Sequence, residues 1–235
     1  MKETAIYKWF TKTKEALAPM TWRERIDYLW TYYKTTAIIT FIFVFLIGYM
    51  LFGMLTSKEI LLGGIHANVE LTDAGISQIT TEFFGQRGGN ANKEEVSTLD
   101  VALTPIKDDE YFEMNYYYLQ AVISRVGAQQ VDYILADKIA LRIFMTQDIY
   151  MDLRELFTKE QLAEMEERLI YFQPADENEK PTQEKYPVAV DISGLPFLVE
   201  FCDSKEPIYF SAAANAPNLE ELKAFWDYLN TWGHE

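Results

Sequence analysis

Residues Thr35 to Leu55, TTAIITFIFVFLIGYMLFGML, run for 21 positions without a charge. As a helix rising about 1.5 Å per residue, this stretch spans roughly 30 Å, the thickness of a bilayer's hydrocarbon core. A buried helix in a soluble domain is usually shorter and carries a polar face. A secretory signal has an apolar run of about 7–15 residues ahead of a small-residue cleavage site. Neither description fits, because 34 residues precede the run and the flank GYMLFGMLTSKE offers no A-x-A-like site. The sequence therefore predicts an uncleaved, single-pass transmembrane helix over 35–55, a signal anchor that separates a segment 1–34 from a domain 56–235.

Charge sets the expected orientation. Lys2, Lys8, Lys12, Lys14, Arg23, Arg25 and Lys34 precede the run, whereas only Lys58 follows it closely. Positive charge within about 20 residues of a span stays on the cytoplasmic side, so the N-terminus is expected in the cytoplasm and the larger domain outside the cell membrane. Tyr28, Trp30, Tyr32 and Tyr33 form an aromatic belt on the inner side, with Tyr49 and Phe52 on the outer. Thr21 and Glu24 match a T-x-x-E capping box, and Trp22, Ile26, Leu29, Trp30 and Tyr33 recur at helical spacing. The expectation is an amphipathic helix on the cytoplasmic leaflet, feeding directly into the span. It serves as an interfacial anchor or as a docking face for another membrane subunit.

From Lys58 onward, 14 Lys and Arg face 32 Asp and Glu, a net charge of −18, while the first 34 residues carry +3. So acidic a domain repels phosphates and has no basic stripe, which argues against nucleic acid as a partner. It should also stand off anionic headgroups. Cys202 is the single cysteine, so no intrachain disulfide can form. A disulfide-free domain outside the cytoplasm points to a bacterial cell envelope, and Cys202, within FLVEFCDS, reads as a packed thiol.

Strand and helix patterns alternate through the domain. EILLGGIHANVEL (59–71) reads as a strand and AGISQITTEFFGQ as a helix begun by Thr72 and Asp73, with Ile76, Ile79 and Phe83 on one face. VSTLDVAL (96–103) reads as a strand, and DDEYFEMNYYYLQAVISRV as a long helix with Phe112, Tyr116, Leu119, Ile123 and Val126 inward. VDYIL (131–135) is a strand, DKIALRIFM a helix, and TKEQLAEMEERL a helix capped by Thr158 and Gln161. LIYFQ, YPVAVDI and PIYFSAA are strands. NLEELKAFWDYLNTW is the last helix, with Asn218 as N-cap and Leu222, Phe225, Trp226 and Leu229 inward. The fold class expected is α/β with a mixed sheet and parallel crossovers.

The stretch VDYILADKIALRIFMTQDIYMDLREL resembles the first lobe of type 2 periplasmic solute-binding proteins: a buried strand bearing an Asp, a short helix, a turn and an Asp-Leu pair. PIYFSAAANAPNLEELKAFWDYL is similar to the return strand and long helix of that fold. YLWTYYK before the span resembles a group of small anchored proteins of Gram-positive anaerobes that carry one short extracytoplasmic α/β domain. The resemblance implies a solute-binding-protein-like single lobe, because the segment available for a second lobe, Leu169 to Pro207, is too short to form one.

Catalytic signatures are sparse. His66 and His234 are the two histidines, neither with a metal-ligand partner at the right spacing, and no G-x-S-x-G occurs. His66 reads as a core histidine. GQRGG lacks the Lys-Ser/Thr of a phosphate loop and reads as a turn. Asp108, Asp109 and Glu110 lack EF-hand spacing and are better explained as the acidic start of a helix. No metal or cofactor is expected. Tyr116, Tyr117 and Tyr118 point three ways from a helix, so at least one leaves the core. A ligand on an open α/β sheet sits beyond the carboxyl ends of its strands, at the turns near Ala67–Asn68, Thr104, Ala136–Asp137 and Ser193–Gly194. Asn68, Tyr117, Asp137 and Ser193 are thus the candidate ligand or partner contacts. The expected function is that of a non-enzymatic, membrane-anchored accessory protein working with another membrane protein or as a homo-oligomer. The alternative is an anchored solute-binding or sensor protein for a small ligand.

Overall fold

The computed structural model describes residues 14, 17–104, 109–175 and 181–233, those at 54–55 and 109–114 as backbone only. The chain divides at Ser57–Lys58 into two compact units.

In the first unit one helix, α1 (Trp22–Thr56), runs unbroken through both the expected amphipathic segment and the apolar run. Thr21 is extended, and the Glu24 carboxylate accepts from its N–H at 2.8 Å and from its hydroxyl at 2.9 Å, closing the first turn. At the other end the Thr56 hydroxyl donates back to the Phe52 carbonyl at 2.8 Å, after which the backbone extends. Phe41 is 72% exposed and Phe43, Phe45, Leu46 and Met50 also point outward. Water penalises each such ring by a few kcal/mol, whereas hydrocarbon does not. Among the described residues this helix alone is long and apolar enough to cross a membrane.

The second unit is an α/β domain on one mixed sheet of six strands, ordered β2-β1-β3-β6-β5-β4. β1 (Glu59–Ala67) lies parallel to both β2 (Glu94–Val101) and β3 (Tyr133–Ala136). β6 (Tyr209–Ala212) is antiparallel to β3 and to β5 (Tyr186–Asp191), and β4 (Leu169–Phe172) is antiparallel to β5. Helices joining parallel strands must cross over the sheet. α2 (Asp73–Ser77, continued by a π-helical turn Gln78–Phe83 and a last turn Phe84–Gln86) links β1 to β2, and α3 (Asp109–Gly127) links β2 to β3. After β3 come α4 (Lys138–Met145), α5 (Lys159–Glu164), α6 (Pro196–Phe201) and α7 (Leu219–Thr231).

Both sheet faces are covered, which is why the central strands read as continuous apolar runs. Tyr133, Leu135 and Phe210 pack with Phe83, Phe197, Phe225 and Trp226 on one face. Ile65, Ile134 and Ala136 pack with Val122, Val126, Leu141 and Phe144 on the other. Asp132 is buried between these layers and accepts from the Gly63 and Asn218 amides, each at 2.8 Å. Burial raises its carboxyl above the usual range, and those amides pull it partly back. Among the described residues of Leu169 to Pro207, β4 and β5 extend the same sheet rather than build a second lobe.

Several local expectations need correcting. β1 stops at Ala67 rather than Leu71, because Asn68 turns into the left-handed region at φ 58°. β2 is offset toward the N-terminus of 96–103. On α3 the buried face carries Asn115, Val122 and Val126, and Tyr116, expected inward, is 56% exposed. Phe112 falls outside the described side chains. Asn218 precedes α7 without capping it: no first-turn amide bonds its side chain, whose Nδ2 donates to the Ile60 carbonyl at 3.1 Å. Leu222, Phe225, Trp226 and Leu229 do face the core. The cation candidate at Asp108, Asp109 and Glu110, and His234, lie outside the described residues or side chains.

Candidate binding cleft

Strand register brings one edge of the sheet together. Ala67 is level with Val101 and Ala136, Ala136 with Tyr209, and Tyr209 with Asp191. The carboxyl ends of β1, β2, β3 and β5 therefore open on the same side, the side where open α/β sheets bind ligands. An open cleft of about 670 Å³ lies there at the ends of β1 and β2, lined among others by His66, Asn68, Glu70, Asp100, Tyr118 and Asp203.

Asn68 anchors this edge. Its Oδ1 accepts from the Leu103 amide at 2.6 Å, and its Nδ2 donates to the Leu103 carbonyl at 2.7 Å and to Asp137 Oδ2 at 3.1 Å. Asp137 caps α4 by accepting from the Ala140 amide at 2.7 Å. The two nominated residues are thus joined, and their bonds tie the end of β1 to both neighbours. Asn68 also lines the cleft; Asp137 does not. Ser193 lies farther along the edge, in the turn after β5. Its hydroxyl donates to Asp191 at 2.5 Å and accepts from the Ile208 amide at 2.9 Å, so it shapes a turn outside the cleft. Tyr117 is 73% exposed on α3, and its ring meets that of Tyr118, which does line the cleft, edge-on at 5.9 Å.

The feature that residue-type reasoning missed is the pairing of His66 with Asp100. They are level in the parallel β1/β2 register, and His66 Nδ1 lies 2.9 Å from Asp100 Oδ1. The other ring nitrogen lies 3.1 Å from the Tyr133 hydroxyl. Burial pushes the Tyr133 phenol well above its ordinary range, so it keeps its proton and donates it to Nε2. Nδ1–H then donates to Asp100, a tautomer assigned from the network. That bond holds the Asp100 carboxyl below the usual range, against the effect of partial burial.

The resulting Asp–His–hydroxyl chain is inverted relative to a nucleophile relay. In such a relay the hydroxyl faces substrate and the carboxylate supports from behind. Here the Tyr133 hydroxyl is in the core and His66 is buried, while the Asp100 side chain is 68% exposed. The arrangement presents a fixed carboxylate to the cleft. Cys202 is half-buried and its thiol is pushed up, chiefly by burial, so it lacks thiolate character. Among the described residues no three His, Cys, Asp or Glu side chains assemble to hold a metal ion. Compared with known proteins, the chain matches no family model, no curated protein and no solved structure.

Proposed function

We propose that this chain is a membrane-anchored, non-catalytic accessory protein: α1 sits in the bilayer, its N-terminal side in the cytoplasm, and the α/β domain acts outside on another membrane protein. The observation that carries the reading is the link between the two units. Only Ser57 and Lys58 separate the end of α1 from the start of β1, so a domain anchored this way has little reach and its partners lie in or near the membrane. The excess of basic residues before the apolar run supports the orientation. The His66 side chain and the Tyr133 hydroxyl at its Nε2 are both buried in the core, out of reach of a substrate in the cleft, which argues against an acid–base role.

The resemblance to one lobe of a type 2 solute-binding protein is part of the same proposal. Tyr133 to Met145 forms the expected strand and helix, and β6 returns antiparallel beside β3 before the long α7. A second reading, an anchored solute-binding or sensor protein, is favoured by the cleft at the strand ends.

One experiment separates the two. A photo-crosslinking residue is placed at Tyr117 in native membranes, and the purified chain is screened by thermal shift against amino acids, peptides and sugars. The accessory reading expects a crosslinked adduct with a membrane protein and a flat screen. Free monomer in every crosslinking sample overturns it, and a shift with a solute moves the function to the second reading.

A further inference from the structure

We propose that the cleft at the ends of β1 and β2 takes an organic cation, an amine on a short carbon frame. This rests on the second, solute-binding reading above rather than on the accessory reading, and narrows it to one ligand class. The volume, about 670 Å³, suits a small molecule. Three carboxylates, Glu70, Asp100 and Asp203, line it, and among the described residues no Lys or Arg does. Glu70 and Asp203 are exposed, and their carboxylates meet no partner among the described residues. An anionic ligand would meet this wall and a domain of net charge −18.

Asp100 makes the wall more than a chance cluster of acids. It is aimed by a histidine that is itself buried and fixed at its other nitrogen by a buried tyrosine. The carboxylate therefore loses little freedom on binding, and its depressed pKa keeps it charged. The wall also has an apolar part, Val101, Leu71 and the ring of Tyr118, beside the polar Asn68 and Ser204. Tyr118 is braced by Tyr117, and an aromatic ring at the cleft wall is a surface that attracts a cation. A bare metal ion is a poorer fit, because the carboxylates do not close into a three-ligand group. Ammonium groups carried on a frame of several atoms bridge that spread and bury the frame on the apolar side.

The test is titration calorimetry on the full chain in phosphatidylcholine nanodiscs, with 1,4-diaminobutane, 1,4-butanediol and succinate as probes. Diaminobutane is expected to bind and the other two to give no heat. Asp100→Asn keeps an oxygen to accept from His66, and Glu70→Gln removes a charge that makes no internal bond. Each should weaken diaminobutane about five- to tenfold, as loss of one charge-assisted contact does, while Glu160→Gln on α5 leaves it within about twofold. Diaminobutane binding that neither cleft variant weakens overturns the proposal. Binding of butanediol or succinate instead, weakened by Asp100→Asn, overturns the ligand class and leaves solute binding standing. Silence from all three probes also overturns the cation proposal; the solute-binding reading is then decided by the broader thermal-shift screen.

Discussion

Gly63 and Gly64 stand side by side in β1 because neighbouring chain comes too close for any side chain. A Cβ on Gly63 would lie 2.0 Å from the Gln130 carbonyl oxygen, and one on Gly64 would lie 2.2 Å from Cζ of Tyr133. The second contact matters for the cleft, since Tyr133 is the residue that fixes His66 and through it Asp100. Gly64→Ala must push a fully buried ring aside, and overpacking of that kind costs about 3 kcal/mol. Gly85 is the matched control: nothing lies within 4 Å of its would-be Cβ, and alanine in a helical turn gains up to about 1 kcal/mol. Urea unfolding of the detergent-solubilised chain, followed by near-ultraviolet circular dichroism, should separate the two variants. Similar midpoints would mean that β1 and β3 can part without cost. The glycine pair was visible in ILLGGIHA, but its meaning was not, because the atoms it makes room for belong to residues about 70 positions later. His66 was legible as a core histidine because it stands alone in an apolar strand with no metal-ligand partner at the right spacing, and its two bonds replace the water that a buried imidazole loses.

Elements were most legible where a cap announced them. Thr158 and Gln161 start α5 as a reciprocal box, with the Gln161 side chain accepting from the Thr158 amide at 2.9 Å. Asp137 starts α4 and, being buried, does more: its second oxygen holds Asn68 at the end of β1. Removing an exposed cap costs about 1 kcal/mol. Thr158→Ala should therefore cost about that, and Asp137→Ala about twice as much, because it also removes one of the two bonds that the part-buried Asn68 amide donates. Thermal unfolding of both variants checks this. Equal losses would show that the Asn68 bond carries no weight. Periodicity failed where a polar residue turned inward. Asn115 reaches back to both backbone groups of Thr104, at 3.0 and 2.8 Å, which draws its side of α3 into the core and leaves Tyr116 outside. Sequence patterning places Asn outward and so sets the face one position off. α6 escaped notice because six residues are too few to display a period, although Pro196 at its first position was a usable sign.

At the scale of the whole molecule, alternating strands and helices made an α/β sheet readable, while strand order and register were not. Pairing of β1 with β2 and β3, and so the meeting of His66 with Asp100, depends on contacts between distant segments that no local pattern encodes. The apolar helix is the opposite case, because its length and composition are the whole of the signal. What that helix implies for the domain is open to direct test. If α1 is an anchor with its basic end inside, the chain should resist extraction by alkaline carbonate. Protease added to intact cells should then remove an epitope tag placed after Glu235, while in inverted vesicles the tag should survive. Seven basic residues before the run against Lys58 after it make this orientation the expected one. Moving charge should reverse it: replacing Arg23, Arg25 and Lys34 with Gln and placing three Lys after Ser57 weakens the inward bias and creates an outward one. A tag protected in intact wild-type cells, or released by carbonate, would leave the domain on the cytoplasmic side or unanchored. The proposals made for its outer partners and for the cleft's solute would then have no compartment to act in.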